Sequence, residues 1–427
     1  METTHWGGPG EDYRLSKISA AAISEDNGIG APAPDVWQPP KAIHSFPWFE
    51  MVMTVIGVLG VIGLTLYMLT PEATGYFALV KTTLLALIPL VIVVGFLIRI
   101  DRWEPEPWKT KISVFLWGAG VATLSAGILN TALHHNIAYS TGDAQGASAL
   151  SATFVAPLVE ETLKGVVVLI VVLVRRTNIN SVLDGVVYAG FSAAGFMFTE
   201  DILYFLRGEA EGTTNLIVLV VMRGIFSPFL HVMATSMTGI GLALALLKFK
   251  RGWSKAGIVA VFWVCAMGIH FLWNGSASYG GGWFLILYAV VQVPAFILWS
   301  VLLLRATRKE AEKIRTGLVP YVRTGWVLPG EVTMATDKRS RKAALKWAAR
   351  GGRDAKKAMR SFLANLASLG LDQRLMAKHG PDPARIENDR QMLTEAADNR
   401  REFLRLTSIA EQQHDVSKAV SSRARAA

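Results

Sequence analysis

Of 427 residues only one, Cys265, is a cysteine. That excludes an internal disulfide framework and any zinc site built on cysteine pairs. Standing in a hydrophobic run, Cys265 is expected to be a small buried filler. Charge is scarce too: Asp, Glu, Lys and Arg make up 18% of the chain, where a soluble protein of this length carries about a quarter. Lys and Arg are absent from 70–77, 134–149 and 276–282. No cleavable signal precedes the first hydrophobic stretch, so that stretch is expected to remain as an anchor.

Apolar residues fill the gap. They are 52% of the chain, and the mean hydropathy is +0.35. Runs of the roughly 20 residues needed to cross a bilayer fall at 49–69, 78–98, 112–133, 150–174, 184–207, 215–247, 256–275 and 283–304. The predicted fold is all-α, a polytopic membrane bundle of about eight helices. The sixth run is too long for one straight span, and Gly224 and Pro228 are the expected kink. Residues 1–48, rich in Pro, Gly and Ser, read as a disordered cytoplasmic arm. Residues 49–304 form the transmembrane core, and 305–427 a basic helical tail. From Arg305 onward there are 26 basic and 14 acidic residues, whereas the preceding part is nearly neutral.

The remaining basic residues set an orientation. Arg99, Arg102, Lys109 and Lys111 follow the second run, Arg175 and Arg176 the fourth, and Lys248, Lys250, Arg251 and Lys255 the sixth. Alternate loops lack them, so both termini are expected in the cytoplasm of a multi-pass cell-membrane protein. The basic stretch 338–350 fits a helix on an anionic lipid surface or a solvated helix packed on its neighbours. No recognised module frames it for nucleic acid, and no such partner is expected.

Ionisable residues inside membrane spans are costly and mark function. Glu160, Glu161 and Lys164 lie in the fourth run, Glu200 in the fifth, Arg223 and His231 in the sixth, and His270 and Asn274 in the seventh. At about 1.5 Å per residue, Glu160, Glu200, His231 and His270 all lie about 21–25 Å from the cytoplasmic end of their spans. Four helices thus bring a Glu or His to one level. Two imidazoles with a carboxylate are the ligand set of a catalytic zinc, and a second carboxylate can take a proton from water. Adjacent Glu160 and Glu161 project about 100° apart and need not share a task. Lys164 sits within a turn of both and offsets their repulsion. The same residue types also serve an ion or proton pathway or a structural polar network. Against a transporter, no internal repeat is visible. Arg223 is read as balancing a glutamate charge, Asp184 as an interfacial cap, and His134 and His135 as outer-edge residues.

In combination and order these residues resemble a known family. Glu160-Glu161-x-x-Lys164, Phe196-x-x-x-Glu200, His231 and His270-x-x-x-Asn274 are similar to the motifs of the PrsW family of intramembrane metalloproteases. DRWEPEPW at 101–108, DGVVYAGFSAAGF at 184–196 and RGIFSPFLH at 223–231 resemble further segments of that family, so the likeness covers about 50–304. The wider group includes prenyl-protein endopeptidases and a scaffold subunit of γ-secretase. The resemblance implies hydrolysis of a peptide bond in a membrane-protein substrate, such as an anti-sigma-factor-like regulator, within or near the lipid bilayer. It implies Glu160 and Glu161 as the paired essential glutamates, one of them the general base. His231, His270 and Glu200 are then expected to hold zinc, with Glu161 as the alternative to Glu200. Lys164 tunes the glutamates, and Asn274 orients His270 or donates to the oxyanion. Asp201 departs from the family, where Asn commonly follows the second-motif Glu. A non-catalytic scaffold or transporter retaining the polar network is the alternative function.

Overall fold

The computed structural model describes residues 48–69 and 75–426, with side chains as far as 410. Most of the expected N-terminal arm therefore lies outside the described residues. These divide into two compact units, one ending at Ala306 and the other beginning at Thr307. Among the described residues there is no β-strand.

The first unit is a helical bundle. We number its helices α1 (Trp48–Met68), α2 (Tyr76–Ile100), α3 (Trp108–Thr141), α4 (144–174), α5 (Val182–Glu211), α6 (Thr213–Lys248), α7 (Gly252–Tyr279) and α8 (Gly281–Arg323), of which α8 belongs to this unit only as far as Ala306. Seven of these are long and apolar enough to cross a membrane. The exception is α4, the expected fourth span. It is continuous as Ala144–Leu150, a π-helical turn Ser151–Val155, and Ala156–Val174, and it carries Glu160, Glu161 and Lys164 in its middle. Those three charges, needed at the centre, dilute its hydropathy. Helix α6 breaks where Gly224 and Pro228 predict: a π-turn at Met222–Phe226 ends at Ser227, and helix resumes at Leu230. Pro228 has no N–H to continue the ladder. The Ser227 N–H and hydroxyl both donate to the Met222 carbonyl, closing the π-turn.

Helix α5 is the axis of this bundle. A membrane helix buried on all sides needs small residues so that neighbours can approach closely, and α5 supplies them at Gly185, Ala189, Ser192, Ala193, Ala194 and Gly195, all buried. The Gly195 backbone meets the Phe115 carbonyl of α3, and Gly118 meets the Ser192 carbonyl, with no room for a Cβ at either. Its start is fixed by a capping box in which the Ser181 hydroxyl accepts from the Leu183 N–H and Asp184 accepts from the Asn180 and Ser181 N–H groups. Outward faces of α1, α2, α7 and α8 are apolar and exposed, as lipid contact requires. Cys265 belongs to such a face, beside exposed Val261 and Val264. The expected buried filler is thus corrected: periodicity along α7 places it on the outer side.

The DRWEPEPW segment is a brace. Asp101 accepts from the Glu106 N–H (3.0 Å) and from the Lys111 ammonium (2.5 Å), and Glu106 accepts from the Tyr188 hydroxyl of α5. Burial pushes the Asp101 carboxyl up to about 6 against the pull of Lys111, and burial with Asp184 and Asp101 nearby raises Glu106 well above the usual carboxylate range. It holds the α2–α3 connection against α5.

The second unit contains α9 (Pro329–Thr336), α10 (Lys338–Ala348), α11 (Gly352–His379) and α12 (Pro383–Ala426). Its core joins Phe362, Leu363 and Leu366 of α11 to Phe403 and Leu404 of α12. Trp347 of α10 packs edge-on against Phe403, with ring centroids 6.0 Å apart. The apolar side of 338–350 is therefore spent inside this unit and its basic residues other than Arg341 are exposed, so it is a helix packed on its neighbours. Asp389 is buried near Asp372, which pairs with Arg385. Burial first, then Asp372, pushes the Asp389 carboxyl up to about 8. It is protonated in the fold but ionises near 4 when unfolded, so stability falls as pH rises from about 4 to about 8. Asp389→Asn should remove that loss and make this unit more stable by on the order of 1 kcal/mol or more at pH 8–9. Thermal unfolding of the full chain at pH 5 and pH 8.5, followed by hydrogen exchange of α11 and α12, reads this out.

Candidate active site and metal centre

Four helices of the first unit converge on one buried cluster. Helix α4 contributes Glu160, Glu161 and Lys164, all buried. Helix α5 contributes Phe196, Glu200 and Asp201, the two halves of α6 give Arg223, His231 and Thr235, and α7 gives His270. The π-turn in α6 separates Arg223 from His231 so that both reach this cluster from one chain segment, and such turns concentrate at functional sites.

Each glutamate has a different environment. Glu161 is saturated: its Oε1 is 2.5 Å from the Lys164 ammonium and 2.9 Å from His270 Nδ1, and its Oε2 accepts from the Thr235 hydroxyl at 2.7 Å. Glu160 accepts from Asn130 Nδ2 at Oε1 (3.2 Å), whereas its Oε2 is buried with no hydrogen-bond partner. That Oε2 lies 3.8 Å from His270 Nε2 and 4.0 Å from the Lys164 ammonium. Glu200 pairs with Arg223, and its Oε2 is 2.9 Å from His231 Nε2. Arg223 also pairs with Asp201 and lies 4.3 Å above the Tyr204 ring. The departure at Asp201 is therefore accommodated by a guanidinium shared between two carboxylates.

The cation and the imidazoles fix the protons. Lysine has only donors, so His231 Nδ1, 3.1 Å from Lys164, accepts. Its ring proton then sits on Nε2, toward Glu200. Glu161 likewise holds the Nδ1 proton of His270 and leaves Nε2 facing Glu160 Oε2. Lys164 additionally stands 4.4 Å over the face of Phe196, the aromatic residue of the Phe-x-x-x-Glu motif.

Glu160, His231 and His270 can each offer one ligand atom, all within 4.8 Å of one another. Two imidazole nitrogens and a carboxylate oxygen suit a catalytic zinc, which leaves a coordination position open. The orphaned Glu160 Oε2 is the atom such an ion would satisfy, and His231 would bind it as a neutral imidazole, its ring proton moving from Nε2 to Nδ1. The residues present fit the group.

A cavity of about 410 Å³ reaches this cluster, with Glu160, Glu200, Phe196, Asn130 and Tyr204 in its wall. His134 lines it too, rather than merely standing at an outer edge. Asn274, one turn from His270, turns its amide elsewhere: its Nδ2 donates to the Ala152 carbonyl (2.8 Å), tying α7 to the π-turn of α4. Glu200, expected as the carboxylate grouped with both histidines, is instead engaged by Arg223, and Glu160 takes that place. Asn130 and Thr235 escape the sequence reading. An Asn within the apolar run GILNTAL was the available signal; a hydroxyl such as Thr235 leaves none.

The fold and this cluster define a class, the multi-pass membrane proteins that carry a buried imidazole–carboxylate centre within their helical bundle. Residues 106–299 match the sequence model of the PrsW family intramembrane metalloprotease. Protease PrsW of Clostridioides difficile (strain 630) is 29% identical over 173 residues, which cover 40% of this chain and 68% of that protein. No solved structure matches the chain. Over residues 106–299 the membrane core is thus similar to the PrsW family, and the protein is a peptidase of the multi-pass membrane kind.

Proposed function

We propose that the protein hydrolyses a peptide bond of a membrane-protein substrate at the cavity wall formed by Glu160 and Glu200. The observation that carries this reading is the convergence of Glu160, His231 and His270 ligand atoms within 4.8 Å, beside an orphaned Glu160 oxygen. The three residues hold a divalent cation, most suitably zinc. When bound, such an ion lowers the pKa of water toward 7 and polarises a carbonyl as a Lewis acid.

The other side chains have separate tasks. Glu200 has the highest side-chain exposure of the four acidic groups, 14% against 6% for Glu160, 0% for Glu161 and 1% for Asp201. Its carboxylate accepts the proton lost by water as oxygen bonds to the peptide carbon. It returns that proton to the amide nitrogen as the C–N bond breaks. Arg223 clamps Glu200 in place and balances Asp201. Glu161 fixes the tautomer of His270, the outer-shell arrangement common to metal-bound imidazoles. Lys164 neutralises Glu161 and stands 3.1 Å from His231 Nδ1. Both termini lie in the cytoplasm, a reading supported by the Lys and Arg distribution among the loops.

Elemental analysis of the detergent-purified full chain tests the metal centre. About one zinc per chain is expected in the wild type, with stoichiometric loss in His231→Ala/His270→Ala. A folded wild type free of metal after chelator-free purification would redirect the reading to glutamate-based hydrolysis or a non-catalytic scaffold.

A further inference from the structure

The outer half of α3 is a lipid-facing surface. Ile128, Leu129 and Leu133 are exposed apolar side chains, 62%, 44% and 39% accessible. Asn130 stands among them, half-buried, in the wall of the cavity. A polar amide in such a helix is costly without a partner, and its partner is Glu160. Asn130 Nδ2 donates to Glu160 Oε1 at 3.2 Å, the single hydrogen bond made to that carboxylate among the described residues. A carboxylate only accepts, so the amide must present its NH₂ to Glu160. The amide oxygen, Oδ1, is buried and unpartnered.

We propose that Asn130 is a positioning residue for the metal ligand Glu160. By engaging Oε1 it fixes the plane of the carboxyl group and leaves Oε2 as the oxygen that faces His270 Nε2 at 3.8 Å. Without that bond the carboxyl group rotates about its terminal torsion, a broad one, and Oε2 loses its fixed place beside the imidazoles. Asn130 lies on a helix that carries none of the glutamate or histidine motifs, so its role follows from the packing of α3 against α4. The inference rests on the reading of Glu160 as a ligand.

Outer-shell partners of metal ligands change affinity by about 10–100-fold when removed. The test is zinc affinity of the detergent-purified full chain, measured by competition with a fluorescent chelator. Asn130→Leu, which keeps the volume and removes the hydrogen bond, should weaken binding by about 10–100-fold. Asn130→Ala should do the same by a second route, guarding against a folding effect peculiar to leucine. Asn130→Gln, which restores an amide donor, should recover much of the loss. Asn136→Leu, at an exposed position of the same helix outside the site, should match the wild type. Wild-type affinity in both Asn130→Leu and Asn130→Ala, with weak binding in Glu160→Gln, overturns the inference alone. Equal weakening in Asn136→Leu also overturns it, because the effect would belong to the helix. Failure of the wild type to bind zinc, or wild-type affinity in Glu160→Gln, removes Glu160 as a ligand and this inference with it.

Discussion

Glu160→Gln is expected to abolish peptide-bond cleavage and zinc binding together, whereas Glu200→Gln should lower kcat by about 10²–10⁴-fold with zinc retained. The difference comes from what each carboxylate faces. Glu160 presents a buried, unpartnered oxygen toward His270, so the neutral amide of Gln removes a ligand charge at the centre. Glu200 is held by Arg223 and stands at the cavity wall, so its loss removes a proton acceptor and leaves the grouped ligands in place. Full-chain enzyme reconstituted in liposomes with a transmembrane reporter protein, read by mass spectrometry of the products, separates the two when combined with metal analysis. Zinc loss in Glu200→Gln and retention in Glu160→Gln would exchange the two roles.

Lys164→Met should cost about 3–5 kcal/mol of stability, the range for removing one partner of a buried ion pair. Lys164 and Glu161 are both fully buried. Glu161 would keep hydrogen bonds from Thr235 and His270 but lose its counter-charge, with the Glu160 carboxylate adjacent. His231 would lose the donor on Nδ1 as well. Replacing both partners is expected to be far milder, since a neutral pair leaves no stranded charge. Lys164→Met/Glu161→Gln should therefore unfold at a higher temperature than Lys164→Met alone, measured by helical circular dichroism in detergent. The reverse order would show that Lys164 acts on Glu160 and His231 rather than as the partner of Glu161.

The helical bundle was legible because lipid imposes a one-dimensional rule: long apolar runs separated by polar loops. The break in α6 was legible for the same kind of reason, Gly224 and Pro228 being local signals. Depth along each span placed Glu160, Glu200, His231 and His270 at one level, and they do meet. Depth says nothing of azimuth, however. Which glutamate groups with both histidines depends on how α4, α5 and α6 rotate against one another, and that rotation is set by close contacts such as Gly185 of α5 on Gly239 of α6 and Gly165 of α4 on Thr238 of α6. The same limit hid Asn130 and Thr235, put Asn274 against Ala152, and turned Cys265 outward. Helix α4 shows a further conflict, because the charges that make it functional weaken the hydropathy by which a span is recognised.

The size of the cavity has a consequence for what can be cut. A helix 10–12 Å across occupies on the order of 400–600 Å³ per turn, so about 410 Å³ admits roughly one turn of polypeptide. A spanning helix would lodge about one turn there, and cleavage then requires that short stretch to come undone. In hydrocarbon each backbone group released that way costs several kcal/mol unless it finds a new partner. On the proposed function, spanning segments interrupted by glycine or proline are therefore expected to be cut faster than uniformly strong helices.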